Sequence, residues 1–117
     1  MQLHEIAYFT EDVPGMQAFY ERLLGAVPIA ASEGMAIFLS GDTKLFIHRS
    51  YQADQGELPP ENHVAFRVGD VDAVCERLQQ AGLAVERPPQ DYYWGRSAYL
   101  RDPDGHLIEL NAVADRP

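Results

Sequence analysis

The 117-residue chain has one cysteine and one tryptophan, and it contains no long hydrophobic run. A single cysteine, Cys75, cannot form an internal disulfide, and its neighbours Val74 and Leu78 indicate a buried helix face. No apolar segment approaches the roughly 20 residues that a bilayer requires, and the first residues lack the character of a signal peptide. We therefore expect a cytoplasmic protein with an unreactive thiol.

Positive charge is scarce as well. Lys44 is the only lysine, and the formal net charge is −9. Such a charge repels phosphate backbones and anionic membrane surfaces, so neither nucleic acid nor a membrane is an expected partner. With 46% hydrophobic and 23% charged residues, the composition indicates one globular domain over residues 1–117.

The first fifty residues predict the element order β-α-β-β-β. Residues 3–10 are typical of a strand, and Asp12 then suits the N-cap of a helix that has Pro14 in its first turn and stops at Gly25. Three short apolar segments separated by turn residues follow. They predict strands at residues 27–31, 35–39 and 43–49.

A polar connector with Gly56 and a Pro59-Pro60 pair leads to a second set of elements in the same order. Asp70 caps the predicted helix and Gly82 ends it. Strands are predicted at residues 63–68, 83–87, 96–101 and 106–112. We interpret the chain as an α+β protein of two tandem βαβββ modules, residues 1–50 and 62–117, joined by a linker over residues 51–61.

The modules can be aligned through their helix caps, Asp12 and Asp70, which lie 58 positions apart (70 − 12). This offset pairs Glu5 with His63 at the start of the two first strands. Because successive side chains of a strand point to opposite faces, both residues are assigned to the same face of their modules.

The last strands align through Leu39 and Leu100, 61 positions apart (100 − 39), and this offset pairs His48 with Glu109. If the first and last strands of both modules line one concave surface, four ligand-type side chains converge there. They are Glu5, His48, His63 and Glu109. Imidazole and carboxylate ligands suit a divalent zinc, nickel, cobalt, manganese or iron ion, and the sequence does not choose among these metals.

Two alternatives stay open for this set. His4 competes with Glu5 as a ligand, since strand parity turns it to the other face but a β-bulge would turn it back. Glu109 could instead be a buried carboxylate paired with Arg67, which is assigned to the same face as His63.

An aromatic cluster, Tyr92 to Trp94, precedes the final strands. It is interpreted as one wall of a substrate pocket, with core packing or dimer contacts as the alternative. The residues assigned to substrate binding are Arg67, Trp94, Arg96 and Tyr99.

Several motifs resemble the vicinal oxygen chelate superfamily, which includes glyoxalase I, extradiol dioxygenases, and the fosfomycin- and bleomycin-resistance proteins. They are the segments Phe19-Tyr20-Glu21-Arg22-Leu23-Leu24-Gly25, Asn62-His63-Val64-Ala65-Phe66, Trp94-Gly95-Arg96 and Asp102-Pro103-Asp104-Gly105-His106-Leu107-Ile108-Glu109-Leu110. The resemblance implies a curved mixed-sheet cup that holds a divalent metal, formed within one chain or across a swapped homodimer. His63 and Glu109 match its most recurrent ligands, whereas Glu5 stands where histidine or glutamine is more usual.

The resemblance also implies an activity on a small substrate with adjacent oxygens. We expect a glyoxalase-like lyase or isomerase, in which the metal stabilises a developing enolate or oxyanion and a carboxylate takes a proton from carbon. Glu109 is the first choice for this base and Glu5 is the alternative. The alternatives are a thiol transferase acting on a phosphonate antibiotic, an extradiol dioxygenase, and a metal-free protein that sequesters a small molecule.

Overall fold

A computed structural model describes residues 1–113 as eight strands and two helices. This confirms the α+β class. The elements are β1 (Gln2–Thr10), α1 (Val13–Leu24), β2 (Ala30–Ser32), β3 (Met35–Ser40), β4 (Thr43–Arg49), β5 (His63–Arg67), α2 (Val71–Gln80), β6 (Val85–Tyr92), β7 (Gly95–Arg101) and β8 (Leu107–Ala112). The order β-α-β-β-β therefore occurs twice, as the sequence predicts. No helix among the described residues is both long and apolar enough to cross a membrane.

The chain divides into two compact units. The N-terminal unit comprises Glu5–Asn62, and the C-terminal unit comprises Met1–His4 with the described residues from His63 onward. Within the N-terminal unit the strand order is β2-β3-β4-β1, and within the C-terminal unit it is β5-β8-β7-β6. Each unit combines one parallel pair, β1 with β4 or β5 with β8, with antiparallel neighbours, so each sheet is mixed.

Both helices begin at their predicted N-caps, and α1 also ends at its predicted glycine, whereas α2 ends at Gln80 with Ala81 as its C-cap, one residue before Gly82. The Asp12 side chain accepts a hydrogen bond from the Gly15 amide at the start of α1, and the Asp70 side chain accepts one from Ala73 at the start of α2. Gly25 ends α1 in the left-handed conformation, with φ of 65°. Local chemistry alone therefore fixes these boundaries.

Each helix covers one face of its own sheet. In the C-terminal unit the apolar core contains Cys75 of α2 packed near Ala98, Leu100 and Leu110 of the sheet. Cys75 is 3% exposed, and burial raises the pKa of its thiol. The predicted structural role of this cysteine is confirmed. The core of the N-terminal unit is built from Val13, Ala36, Phe38 and Ile47.

Two strands that contain or follow a proline differ from the prediction. β2 is shorter and later than predicted, since Pro28 fixes its backbone and has no amide to donate. β6 instead continues through Pro88 and Pro89 to Tyr92, beyond its predicted end. It is the terminal strand in its unit's order, where missing donors do not interrupt a ladder.

With the first strands aligned at the predicted offset of 58, the strand register gives a different offset for the last strands than the predicted one. Glu5 pairs with Lys44, and His63 pairs with Leu107. The first strands are therefore 58 residues apart (63 − 5) and the last strands 63 apart (107 − 44), not 61. The cause is the last hairpin, whose connection covers residues 41–42 in one unit and residues 102–106 in the other.

Candidate metal centre

His63 and Glu109 lie together on one face of the C-terminal unit. β5 and β8 run parallel, with Ala65 opposite Glu109. The Nε2 atom of His63 is 3.3 Å from the Oε1 atom of Glu109, and their side chains are 13% and 5% exposed. The register thus places an imidazole and a carboxylate next to each other in a site largely shielded from solvent.

The second carboxylate oxygen of Glu109 is held by its neighbours. Oε2 accepts a hydrogen bond of 2.6 Å from the Ser97 hydroxyl and one of 3.0 Å from the Trp94 indole nitrogen. The amide nitrogen of Asn111 donates to the Ser97 oxygen over 2.8 Å, which orients that hydroxyl towards Glu109. These contacts fix the carboxylate with Oε1 directed at His63.

These contacts also determine the charge of Glu109. Burial acts to raise the pKa of its carboxyl, but the hydrogen bonds from His63, Ser97 and Trp94 and the charge of His63 outweigh it. The net effect is a pKa below the ordinary value of 4.5. Glu109 is therefore an anion at neutral pH despite being 4% exposed.

The donor atoms fit a divalent cation. Nitrogen and oxygen ligands bind zinc at about 2.0–2.2 Å, so two ligand atoms of one tetrahedral ion lie about 3.3–3.6 Å apart. The 3.3 Å between His63 and Glu109 agrees with this spacing. The hydrogen bonds on Oε2 are the outer contacts that metal-binding carboxylates usually receive.

The pairing of Glu109 with Arg67 is not observed among the described residues. Arg67 lies opposite Asn111, two residues beyond the Ala65 and Glu109 pair, and its side chain is exposed. Glu109 is bound by His63, Ser97 and Trp94 instead. The interpretation of Glu109 as the partner of an arginine is therefore wrong.

The predicted meeting of Glu5 and His48 is also wrong. Both belong to the N-terminal unit, where His48 pairs with Phe9 and Glu5 pairs with Lys44. Four residues along a strand correspond to about 13 Å. The residue that pairs with Ala7, as Glu109 pairs with Ala65, is Phe46. The longer connection before β8 accounts for this two-residue error.

His48 occupies an aromatic cluster of the N-terminal unit. Its ring centroid is 5.5 Å from that of Phe9, 5.6 Å from that of Phe46 and 6.1 Å from that of Tyr51. Its Nδ1 atom is 2.7 Å from the Arg49 carbonyl oxygen, so this nitrogen carries the hydrogen. These contacts fit a packing role.

Glu5 and His4 are consecutive residues of β1 and differ in burial. Glu5 is half-buried, whereas His4, in the C-terminal unit, is 8% exposed. The choice between them as a ligand stays a prediction.

The predicted substrate residues divide between the two faces of the C-terminal sheet. Trp94 and Tyr99 lie on the face of Glu109: the Trp94 indole donates to it, and the Tyr99 ring is 6.2 Å from that of His63. Arg96 instead lies on the helix face, bound to Asp72 of α2 at 2.6 and 2.9 Å and to Asp91 at 3.0 Å. Its neighbour Ser97 faces Glu109, so strand alternation itself excludes Arg96 from this face.

Sequence reasoning missed two residues on the Glu109 face. Asn111 could have been found by alternation from Glu109 along β8. Arg87 could not, because the pairing of β6 with β7 is irregular between Val85 and Arg87. That bulge lets Val85 pack in the helix-side core while Arg87 pairs with Tyr99 on the other face.

The fold and the paired imidazole and carboxylate together define a duplicated βαβββ protein with a candidate metal centre. Residues 2–110 match the model of the Glyoxalase/Bleomycin resistance protein/Dioxygenase superfamily. The chain belongs to this superfamily, and the resemblance inferred from its motifs is confirmed.

Curated relatives match most of the chain. A "Metallothiol transferase FosB" of Shouchella clausii is 29% identical over 93% of this chain and 78% of its own length. A "Glutathione transferase FosA" of Serratia marcescens is 31% identical over 93% of this chain and 79% of its own. Among solved structures, a methylmalonyl-CoA epimerase of Mycobacterium tuberculosis aligns with a TM-score of 0.72 at 20% identity, over 97% of this chain and 89% of its own, which supports the fold.

Proposed function

We propose that this protein is a metal-dependent enzyme acting on a small substrate with adjacent oxygen atoms. His63 and Glu109 would hold a divalent cation, and Glu5, predicted as a ligand from the sequence, is proposed as the third. The observation that carries the proposal is the buried 3.3 Å approach of His63 Nε2 to Glu109 Oε1. Three protein ligands would leave coordination positions open for a substrate.

The sequence assigned two roles to Glu109, that of a metal ligand and that of the base. Its Oε2 atom accepts hydrogen bonds from Ser97 and Trp94, and its pKa is lowered. Both features favour a fixed anionic ligand over a base that must swing and accept a proton. We therefore propose Glu109 as a permanent ligand and Glu5, which is half-buried, as the carboxylate that takes a proton from the substrate.

A bound divalent cation would supply Lewis acidity for the negative charge that develops on the substrate oxygen. Tyr99 and Trp94 would shield the substrate from water, since Tyr99 is buried and Trp94 stacks on Tyr92 with ring centroids 4.5 Å apart. The reaction proposed first is proton transfer at the carbon beside a chelated carbonyl, the chemistry of a glyoxalase-like lyase or isomerase.

Thiol transfer to a phosphonate is the second candidate, and the comparisons favour it. The relatives named as metallothiol and glutathione transferases each match 93% of this chain. The two candidates share the metal centre and differ in whether a base or an incoming thiol acts on the substrate.

The metal centre is tested by measuring metal content in protein purified without added metal. We expect about one divalent ion per chain in the wild type and in His48→Ala, and a loss of most of it in His63→Ala. Full metal content in His63→Ala would contradict the ligand assignment, because the matched histidine variant controls for non-specific binding.

The reaction is tested by screening metal-loaded protein against three substrate classes. The hemithioacetal of methylglyoxal and glutathione tests the first candidate, fosfomycin with glutathione or cysteine tests the second, and catechol tests ring cleavage. Turnover of the hemithioacetal that Glu5→Gln abolishes while its metal content stays that of the wild type would support the assigned base. A homodimer is also proposed, and light scattering of the purified protein tests it.

A further inference from the structure

We propose that Arg87 binds an anionic oxyacid group of the substrate, a carboxylate or a phosphonate, beside the metal centre. The inference rests on the proposed function, because the centre would hold the chelating oxygens of the same molecule. It adds a substrate class: compounds that carry both adjacent oxygens and a separate negative charge.

The sheet register brings Arg87 to the site. Arg87 pairs with Tyr99, and Tyr99 pairs with Glu109 on the next strand. Residues paired across strands share a face, so the Arg87 side chain emerges on the face of Glu109 and His63. Two strand spacings amount to about 10 Å between the backbones of Arg87 and Glu109. The arginine side chain covers part of this distance, so the gap that remains between the guanidinium and Glu109 is about the length of a small substrate.

The charge of Arg87 is available to a ligand. Within residues 1–113 it has no hydrogen-bonded or ion-paired partner, although its side chain is half-buried. Two other arginines of this unit are engaged: Arg96 binds Asp72 and Asp91, and Arg101 binds Glu86 at 2.9 Å. A half-buried guanidinium without a carboxylate partner, in a protein of net charge −9, is suited to an anionic ligand.

The Tyr92 side chain is affected by the charges of both Arg87 and Glu109. Burial raises the pKa of its phenol, the positive charge of Arg87 opposes the rise, and the negative charge of Glu109 adds to it. The phenol is therefore within electrostatic range of both residues. The Tyr92 ring packs on Trp94, which donates to Glu109. The Tyr92 ring therefore contacts a residue that binds Glu109 and lies within electrostatic range of Arg87.

The backbone near Arg87 is also stiff. Pro88 and Pro89 follow it directly, and each has a fixed φ angle. The irregular pairing before Arg87 directs its side chain to the Glu109 face instead of the helix face. A positioned guanidinium loses less entropy when it binds an oxyanion by two parallel hydrogen bonds.

The test compares ligands that chelate a metal in the same way and differ in charge. Calorimetry would measure binding of catechol, 3,4-dihydroxybenzoate and 3,4-dihydroxyphenylphosphonate to zinc-loaded wild type, Arg87→Gln and Arg87→Lys. Arg77→Ala, an exposed arginine of α2, is the matched control. We expect the wild type to bind at least one charged ligand about 10- to 100-fold more tightly than catechol, the range of a charge-assisted hydrogen bond.

Arg87→Gln should lose this preference while its affinity for catechol stays the same, Arg87→Lys should keep part of it, and Arg77→Ala should keep all of it. The charged ligand with the larger preference distinguishes a carboxylate from a phosphonate substrate. Equal binding of all three ligands by the wild type, or a preference for the charged ligand that survives in Arg87→Gln, overturns this inference and leaves the proposed metal chelation standing. Failure of the zinc-loaded wild type to bind catechol overturns the proposed chelation and this inference with it.

Discussion

Replacing Ser97 by alanine should weaken metal binding without disrupting the fold. The Ser97 hydroxyl is fully buried and donates to Glu109 over 2.6 Å. Its removal also leaves the Asn111 amide without its 2.8 Å acceptor. The substitution takes away one oxygen and introduces no larger group, so the sheet around it can remain as it is.

The expected loss of zinc affinity in Ser97→Ala follows from the type of hydrogen bond that is removed. A hydrogen bond to a charged acceptor contributes about 1.5–3 kcal/mol, and 1.4 kcal/mol is about tenfold in an equilibrium constant. Loss of a residue that orients a metal-binding carboxylate typically lowers affinity about 10- to 100-fold. We therefore expect the zinc dissociation constant of Ser97→Ala to rise by about that range.

Trp94 provides the assay. It is the only tryptophan of the chain, and its indole nitrogen donates to Glu109. Zinc titrations in competition with a chelator can be monitored by tryptophan fluorescence. Because Trp94 donates to Glu109, this signal reports directly on the Glu109 carboxylate. Ser40→Ala, an exposed serine at the end of β3, serves as the matched control. A change below about threefold in Ser97→Ala, with the far-ultraviolet circular dichroism unchanged, would refute the assigned role of this hydrogen bond.

Three further predictions concern stability. Because the pKa of Glu109 is below 4.5 in the folded protein, its contribution is complete above pH 4.5 and is lost as pH falls through the lower folded value. Urea unfolding from pH 7 to pH 3 should therefore show a steeper acid loss in wild type than in Glu109→Gln, and parallel profiles would contradict the lowered pKa. Gly95→Ala should lower the free energy of unfolding by about 3 kcal/mol in urea titrations, because φ is 131° and the added Cβ would lie 2.5 Å from the Ala112 carbonyl oxygen. Zinc at 100 times its dissociation constant should stabilise the protein by about 2.7 kcal/mol and raise its melting temperature by about 10 °C. Calorimetric scans should show this rise in His48→Ala and not in His63→Ala, and an equal rise in both variants would refute the ligand assignment.

Sequence patterns were sufficient where the controlling interactions are local. Asp12, Asp70 and Gly25 cap their helices through contacts within a few residues, so both helices lie where they were predicted. The repeated element order and the burial of Cys75 follow from hydrophobic periodicity. The pairing of His63 with Glu109 also depended only on strand parity and the resemblance, and the two side chains do meet.

Local sequence patterns could not predict which residues lie opposite each other on neighbouring strands. His48 was assigned by an offset that ignored the length of the last connection, and the register places it opposite Phe9, four residues from the partner of Glu5. An error of two residues keeps a side chain on its face but moves it along the strand. The alternation of side chains along the strand therefore could not reveal this error.

The sequence by itself determined the two modules, their helix caps and the kinds of side chain available for a metal centre. Only the tertiary structure decided which of these side chains meet, and that Ser97, Trp94 and Asn111 hold Glu109 in place. It also decided that Arg87 faces the site and Arg96 does not. The physical reason is that caps and periodicity act within one element, whereas register, bulges and buried hydrogen bonds are set by residues far apart in the chain.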